Sequence, residues 1–92
     1  MTYVLIIGQD ALDDIVKLKK SGNKAAIRRL NKILDELREH PTTGIGQPEQ
    51  LNFEYSGLWS RRITDKHRLI YQIEDELIIV EVIQAYGHYT DK

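Results

Sequence analysis

The spacing of apolar residues changes once along the chain, and this change limits the folds that the chain can adopt. Ala26, Leu30, Ile33 and Leu37 follow one another at intervals of four, three and four, which is the period of an amphipathic helix. From Leu51 onward the period is two, as in strands with one buried face. This order predicts an α+β fold, with two N-terminal helices packed on one face of a mostly antiparallel, twisted sheet.

The helices are predicted to follow a short N-terminal strand. That strand, Thr2–Ile7, ends at Gly8, and Asp10 is the candidate N-cap of the first helix. The second helix carries the apolar stripe described above and ends at Pro41. The first helix is predicted to bury a face formed by Leu12, Ile15 and Val16. It is predicted to end at the polar turn Ser21-Gly22-Asn23.

Four strands are predicted in the C-terminal half, after a loop that contains two glycines. The loop runs from Pro41 to Pro48, and tight connections join the strands that follow it. With 92 residues, the chain is expected to form a single domain over residues 1–92. The predicted strands are Leu51–Tyr55, Leu58–Thr64, Arg68–Ile73 and Leu77–Ala85.

The register of the central hairpin decides which side chains share a face. A two-residue turn places Arg62 and Arg68 on opposite faces, whereas a three-residue connection that pairs Thr64 with Arg68 places them side by side. We prefer the second register because it gathers the large apolar residues against the helices. In that register one face holds Trp59, Ile63, Leu69, Tyr71 and Ile73, and the other holds Ser60, Arg62, Thr64, Arg68, Ile70 and Gln72.

Several functional classes are disfavoured by what the sequence lacks. Cysteine is absent, which excludes disulfides, cysteine-based zinc sites and thiol nucleophiles. The longest apolar runs are short compared with the roughly 20 residues that span a bilayer, and no basic residue precedes the first of them, so we expect a cytoplasmic protein. The three histidines are isolated and give no metal signature, so neither a metal nor a cofactor is expected: His40, His67 and His88.

The charged residues are unevenly distributed although the net charge is only −1. A first basic zone, between Ile15 and Leu34, contains no acid, and a second lies between Ser56 and Tyr71. Such zones attract a polyanion locally. For the first basic zone, an ordinary solvated helix surface is an equally good explanation. The basic residues are Lys17, Lys19, Lys20, Lys24, Arg28, Arg29 and Lys32 in the first zone, and Arg61, Arg62, Lys66 and Arg68 in the second.

A small set of side chains is suited to chemistry on a phosphodiester. Arg62 and Arg68 can hold a phosphate, while Glu49 and His88 can serve as base and acid. Tyr89 can stack on an unpaired base. A ribonuclease without a metal needs no more than this, because RNA supplies its own 2′-OH nucleophile. The same residues are also compatible with a solvated sheet face that carries a structural arginine pair.

Four segments of the chain resemble one family of toxins. Their order and spacing are similar to those of the Txe/YoeB family, within the RelE-like superfamily of toxin–antitoxin systems. The resemblance implies a RelE-like fold, which is similar to that of microbial ribonucleases. It also implies ribosome-dependent cleavage of mRNA in the A site, by attack of the 2′-OH on the scissile phosphate, and thus inhibition of translation. The segments are Gly46–Leu51, Ser56–Thr64, His67–Tyr71 and the ending Gly87-His88-Tyr89.

The resemblance also implies a role for individual residues. Glu49 would be the general base and His88 the general acid, while Tyr89 would position a substrate base. Arg62 and Arg68 would neutralise the charge that grows on the phosphate. Further substrate contacts are expected from Arg61, Asn52 and Lys66. Asn52 departs from the family, which commonly has a lysine shortly after the glutamate, and this loss should weaken RNA binding.

The implied partners are the ribosome, mRNA and a cognate antitoxin of the YefM/Axe type. Operator DNA would be bound only through the antitoxin complex, and relatives also form homodimers. Two alternatives remain open: a toxin of the ParE type that acts on DNA gyrase, and a protein that mainly binds an antitoxin as co-repressor. The ParE branch lacks the glutamate–histidine pair, so Glu49 and His88 argue against the first alternative.

Overall fold

The fold consists of two helices and a five-stranded sheet. A computed structural model describes residues 2–51 and 57–84, without the side chain of Val82. The strand order is β1-β5-β4-β3-β2, with β1 parallel to β5 and the other neighbours antiparallel, which confirms the predicted α+β class. The elements are β1 (Val4–Ile7), α1 (Gln9–Lys20), α2 (Lys24–Leu37), β2 (Glu49–Gln50), β3 (Leu58–Arg62), β4 (Arg68–Glu74) and β5 (Leu77–Gln84).

The second helix matches its predicted apolar stripe. Asn23 caps its N-terminus, because the side chain of Asn23 accepts a hydrogen bond of 3.0 Å from the Ala26 N–H. The helix ends at Leu37, so the chain leaves the helical path before it reaches Pro41. The buried residues of α2 are Ala26, Leu30, Ile33 and Leu37, as predicted.

The first helix differs from its prediction in two respects. Its N-cap is Gly8 in an extended conformation, so Asp10 lies in the first turn and the prediction that Asp10 caps the helix is wrong. Leu12 and Val16 were expected in the core, yet they are 46% and 44% exposed. The buried stripe of α1 lies one residue earlier in the sequence than predicted, and a step of one residue rotates a side chain by about 100° around the helix axis. Leu12 and Val16 therefore lie outside the buried face. This stripe consists of Ala11, Asp14, Ile15 and Leu18.

Both helices cover the same face of the sheet. The buried residues of α1 and α2 form one core cluster with Ile63, Leu69, Tyr71, Ile78, Val80 and Ile83. Trp59 and Ile73 lie on this core face as predicted, but they are only partly buried. A smaller apolar cluster lies on the opposite face, which we call the open face, and contains Leu58, Ile70 and Leu51.

The hairpin of β3 and β4 has the predicted faces but not the predicted register. Arg62 pairs with Arg68, whereas the prediction paired Thr64 with Arg68, so the two differ by two residues. The Thr64 side chain explains the shift, because its hydroxyl accepts the N–H groups of Lys66 and His67 and closes a tight connection after Ile63. An even shift leaves every side chain on its predicted face.

The second strand lies earlier in the chain than predicted. It consists of Glu49–Gln50, whereas we expected Leu51–Tyr55, and residues 52–56 lie outside the described residues. Glu49 pairs with Ser60 of β3, which brings Glu49 to the edge of the sheet. Neither described helix has the length and hydrophobicity that a membrane span requires.

Candidate active site

Two arginines face each other on the open face of the sheet. Arg62 and Arg68 occupy paired positions on β3 and β4, and side chains that are paired across antiparallel strands lie next to each other. The neighbouring residues Arg61 and Leu69 point into the core, which leaves Arg62 and Arg68 on the opposite side. The prediction that these two arginines lie side by side on the open face agrees with this register.

Glu49 completes a cluster of charged groups with the two arginines. Its Oε1 lies 3.6 Å from the Nη1 of Arg68, and the two side chains are 67% and 34% exposed, respectively. Glu49 reaches this position because it pairs with Ser60, which lies two residues before Arg62 on the same face of β3. A carboxylate and two guanidinium groups are therefore grouped on a surface that a ligand can reach.

The strand that carries Arg62 is fixed by the glycine loop. The Arg62 N–H donates a hydrogen bond of 2.7 Å to the carbonyl oxygen of Gly46. Gly46 has a φ of +84°, and a methyl group there would lie only 2.7 Å from the Arg62 carbonyl oxygen. Only glycine allows this close approach, so the loop before Glu49 and the strand of Arg62 are held together.

Arg61, the neighbour of Arg62, is fully buried and is bound by the protein itself. Its guanidinium forms an ion pair of 2.5 Å with Glu36 and donates to the carbonyl oxygens of His40 and Thr43. Two weaker contacts, each of 3.4 Å, reach the carbonyl of Ile45 and the hydroxyl of Tyr71. A side chain with 0% exposure cannot contact RNA, so this placement corrects the expectation that Arg61 binds substrate.

Glu36 and Tyr71 are the partners that we did not predict from the sequence. Burial alone raises the pKa of the Glu36 carboxyl, but hydrogen bonds from Arg61 and the Ile45 N–H and the nearby positive charges lower it below its usual range. Burial raises the pKa of the Tyr71 phenol, which donates to the carbonyl of Pro41. A signal for Glu36 was available, because it lies three residues after Ile33 and therefore borders the apolar stripe of α2.

The connection between β3 and β4 presents Lys66 next to the arginine pair. Lys66 is exposed there, which is compatible with the expected contact with substrate. His67 is part of the same connection, and its Nδ1 lies 2.7 Å from the hydroxyl of Thr64. Burial and the charge of Lys66 lower the pKa of His67 below its usual range, which favours the neutral form of this imidazole.

Three of the expected site residues cannot be placed. Asn52, His88 and Tyr89 lie outside the described residues, so their predicted roles stay predictions. The last described residue is Gln84, which pairs with Arg68. Within the described ranges, no three histidine, aspartate or glutamate side chains are grouped so that they could hold a metal ion.

A groove of about 890 Å³ lies on the helix side of the sheet, away from the arginine pair. It runs between α2 and the end of β3, and its lining combines an apolar floor with a basic rim. The floor is formed by Ala26, Ile45 and Ile63, and the rim includes Arg28, Arg29 and Lys32 from the first basic zone, together with Asp35.

Comparison with known proteins gives consistent matches over nearly the whole chain. Residues 7–89 match the family model for YoeB-like toxins of bacterial type II toxin–antitoxin systems. The Toxin YoeB of Mycobacterium bovis is 41% identical over 80 residues, which cover 87% of this chain and 91% of that protein. The YoeB dimer from Staphylococcus aureus superimposes with a TM-score of 0.76 at 28% identity, over 97% of this chain and 100% of that one.

A YoeB toxin in complex with an antitoxin gives a similar match. The heterotetrameric YoeB–YefM toxin–antitoxin complex from Staphylococcus aureus contains a chain that superimposes with a TM-score of 0.74 at 28% identity. The match covers 97% of this chain and 100% of that chain. The two matches show that this chain has the fold of these YoeB toxins.

Proposed function

The chain belongs to the family of YoeB-like toxins of bacterial type II toxin–antitoxin systems, and we propose that it is a ribosome-dependent mRNA endoribonuclease. It would cleave mRNA in the ribosomal A site and thereby inhibit translation. The observation that carries this proposal is the grouping of Glu49, Arg62 and Arg68 on the open face, with 3.6 Å between Glu49 and Arg68.

The grouping suits an attack by a ribose hydroxyl on the adjacent phosphate. Glu49 takes the proton from the 2′-OH, and the 2′-oxygen then forms a bond to phosphorus. The bond from phosphorus to the 5′-oxygen breaks, and the leaving oxygen is protonated. Arg62 and Arg68 bind the phosphate oxygens as negative charge grows on them. The products are a 2′,3′-cyclic phosphate and a free 5′-OH.

This mechanism assigns the remaining roles to residues near the C-terminus. We propose that His88 donates the proton to the leaving 5′-oxygen and that Tyr89 positions a base of the substrate. Asn52 and Lys66 would contact the substrate backbone, whereas Arg61 is left out because it is buried. Two arginines supply the positive charge that a metal ion supplies in other nucleases, so the proposed reaction does not need a metal.

We propose a cognate antitoxin as the main protein partner. The YoeB toxin of Staphylococcus aureus forms a heterotetramer with YefM. The groove beside α2 fits an acidic, amphipathic segment of such a partner, because apolar residues form its floor and Arg28, Arg29 and Lys32 lie along its rim. Operator DNA would be bound only through this complex. A homodimer, as formed by the Staphylococcus aureus toxin, and a cytoplasmic location belong to the same proposal.

A cleavage assay on a defined translation complex tests the enzymatic proposal. The protein is added to ribosomes with an occupied P site and a defined A-site codon, and cuts are mapped by primer extension. We expect A-site cuts from the parent protein and their loss in Glu49→Gln and His88→Gln. Glu74→Gln is the matched control, because Glu74 is an exposed strand residue outside the site.

Two results would overturn the proposal. Full cleavage by both site variants would show that Glu49 and His88 are not the base and the acid. An absence of cuts by a folded parent protein, together with inhibition of gyrase supercoiling, would favour the ParE-type alternative. Analysis of the cleaved ends adds a further check, because the mechanism requires a cyclic phosphate or the 3′-phosphate formed by its hydrolysis.

A further inference from the structure

Ser60 lies at the centre of the charged cluster on the open face, although its own side chain is buried. It precedes Arg62 by two positions on β3, so the two side chains point to the same face of the sheet. Ser60 pairs directly with Glu49 of β2. On its other side it pairs with Ile70 of β4, which places Arg68 diagonally opposite it. Ser60 therefore borders all three charged residues of the proposed site.

The hydroxyl of Ser60 is buried without a hydrogen-bond partner. Ser60 is only 1% exposed, and among the described residues its hydroxyl is the one buried side-chain oxygen or nitrogen that lacks a partner. Two neighbours on the open face, Leu58 and Ile70, have apolar side chains that offer no acceptor. Burying a hydroxyl without a partner lowers the stability of a fold, and alanine would avoid this loss. Stability alone therefore does not explain a serine at this position.

Other hydroxyl groups of the described chain have clear structural contacts. The Ser21 hydroxyl donates a hydrogen bond of 2.6 Å to a backbone carbonyl at the end of α1. The Thr64 hydroxyl accepts the His67 N–H and closes the connection between β3 and β4. Within the described residues Ser60 makes neither kind of contact, so its hydroxyl keeps a proton that it can donate. The acceptor that the charged cluster can supply is the carboxylate of Glu49.

The Glu49 carboxylate is held by one long contact in the described part of the chain. Its Oε1 lies 3.6 Å from the Nη1 of Arg68, and the Glu49 side chain is 67% exposed. In the proposed reaction Arg68 binds the phosphate oxygens, which compete with the carboxylate for the same guanidinium donors. Glu49 then needs a different donor, because a general base has to be oriented toward the proton that it removes.

The strand pairing brings the hydroxyl and the carboxylate within reach of each other. Directly opposite residues of antiparallel strands have their Cβ atoms about 4.5–5.5 Å apart. Glu49 and Ser60 are such a pair and share the open face. The glutamate side chain is long and rotatable, so a change of rotamer can move one carboxylate oxygen from Arg68 to the Ser60 hydroxyl without any movement of the backbone.

We propose that Ser60 is a positioning residue for the catalytic base: its hydroxyl donates a hydrogen bond to the Glu49 carboxylate when Arg68 binds the phosphate. One carboxylate oxygen is then held by Ser60, and the other faces the 2′-OH. The effect on catalysis rests on the proposed function, in which Glu49 is the base. Ser60 itself does not contact the substrate, because its side chain is buried. Its acceptor becomes available only when RNA is bound, which accounts for the unpaired hydroxyl in the free protein.

The test compares Ser60→Ala, which removes the hydroxyl, with Ser60→Thr, which keeps it. Gln72→Ala is the matched control, because Gln72 is a polar residue on the same face of β4 and pairs with Leu58 rather than with the charged cluster. Urea denaturation measures stability, and steady-state cleavage on programmed ribosomes gives kcat and KM separately. The carbon NMR signal of the Glu49 carboxyl group is recorded in the parent and in Arg68→Met, a variant that removes the guanidinium without RNA.

We expect Ser60→Ala to be at least as stable as the parent, because it removes a buried hydroxyl that has no partner. Its kcat should nevertheless fall by about 10- to 10²-fold with KM nearly unchanged, since the orientation of the base affects the chemical step and not binding. Ser60→Thr should retain most of kcat, and Gln72→Ala should resemble the parent.

The NMR comparison isolates the contact between Ser60 and Glu49 from the reaction. In the Arg68→Met background Ser60→Ala should shift the Glu49 carboxyl signal, whereas in the parent background it should not. If the added methyl group of Ser60→Thr does not fit, Ser60→Cys takes its place. Cysteine has a weak donor in nearly the same volume, so it should give a kcat between those of Ser60→Ala and the parent.

Other outcomes would overturn the proposal in distinguishable ways. A clear loss of stability in Ser60→Ala would show that the hydroxyl serves the fold. An unchanged kcat in Ser60→Ala would show that the hydroxyl does not orient the base. An unchanged Glu49 signal in the Arg68→Met background would show that the two groups do not meet. If the parent protein does not cleave mRNA, the proposed function fails, while the NMR comparison still decides whether Ser60 binds Glu49.

Discussion

Arg61 and Arg62 are consecutive residues of the same type, yet they belong to regions with opposite physical characters. Arg61 is fully buried and bound by an ion pair and by backbone carbonyls on the helix side. Arg62 lies on the open face, opposite Arg68 and near Glu49. The difference arises from strand alternation alone, and it shows that a basic residue in a toxin-like motif need not contact the substrate.

The two regions are mechanically connected although they lie on opposite sides of β3. The Arg61 guanidinium holds the carbonyls of His40, Thr43 and Ile45, so it organises the loop after α2. The same loop continues to Gly46, whose carbonyl binds the Arg62 N–H, and then to Glu49. The buried network therefore supports the backbone of the site, while the open face keeps its charges available for a ligand.

The largest difference between the two regions should appear when each arginine is replaced by methionine. Arg61→Met leaves the partly buried Glu36 carboxylate and the carbonyl oxygens of the loop after α2 without their partner, and it should lower the free energy of unfolding by about 3–5 kcal/mol. Arg62→Met should lower it by less than about 1 kcal/mol, because Arg62 is only partly buried. Urea denaturation of both variants measures the two losses of stability. Equal losses would contradict the difference between the buried region of Arg61 and the open face of Arg62. Replacing Glu36 by methionine as well should recover part of the loss of Arg61→Met.

A glycine of the loop offers a second, smaller test of the buried network. Gly44 has a φ of +123°, and a methyl group there would overlap the Glu36 carboxylate and lie 3.0 Å from the Arg61 guanidinium. Gly44→Ala should therefore cost about 1–3 kcal/mol in stability. Gly22→Ala is the control, because Gly22 has a φ of +79° but no atom within 4 Å of the added carbon. A larger loss at Gly22 than at Gly44 would show that the network is not crowded.

The sequence was sufficient to predict the elements whose pattern is periodic. The apolar stripe of α2 and the two faces of the β3–β4 hairpin follow from periods of 3.6 and two. A period of two fixes only whether a register is odd or even, so it could not distinguish the predicted pairing from the observed one two residues away. The hydroxyl of Thr64 made that choice through its bonds to Lys66 and His67.

The polar contacts between distant residues could not be predicted in the same way. Arg61 and Glu36 are 25 positions apart, and Asp14 and Ile83 are 69 positions apart. No local pattern indicates such a pair, because it depends on how α1 and α2 pack on the sheet. Alternation did imply that either Arg61 or Arg62 must face the core, and this signal could have removed Arg61 from the expected substrate contacts.

The pH dependence of stability should also separate the two regions. Because the net effect of its surroundings lowers the pKa of Glu36, its stabilising contribution is complete above the ordinary value of 4.5 and is lost as the pH falls through the lower folded-state value. Glu36→Gln should therefore be less stable than the parent at pH 7, and the difference should narrow in acid. Glu39→Gln, an exposed control two residues after the end of α2, should differ little from the parent at any pH. Thermal unfolding between pH 3 and pH 7 provides the measurement.

The smallest expected effect concerns the ion pair between Glu49 and Arg68 on the open face. Both side chains are accessible and their closest atoms are 3.6 Å apart, so a double-mutant cycle with Glu49→Gln and Arg68→Gln should give a coupling of only about 0.2–1 kcal/mol in stability. Added salt should reduce it further. Each single variant should nevertheless abolish most of the mRNA cleavage, because the proposed base and phosphate ligand act together on one substrate. A coupling as large as that of the Arg61–Glu36 pair would mean that Glu49 and Arg68 mainly stabilise the fold. That result would contradict the proposal that these two charges serve to bind and cleave RNA.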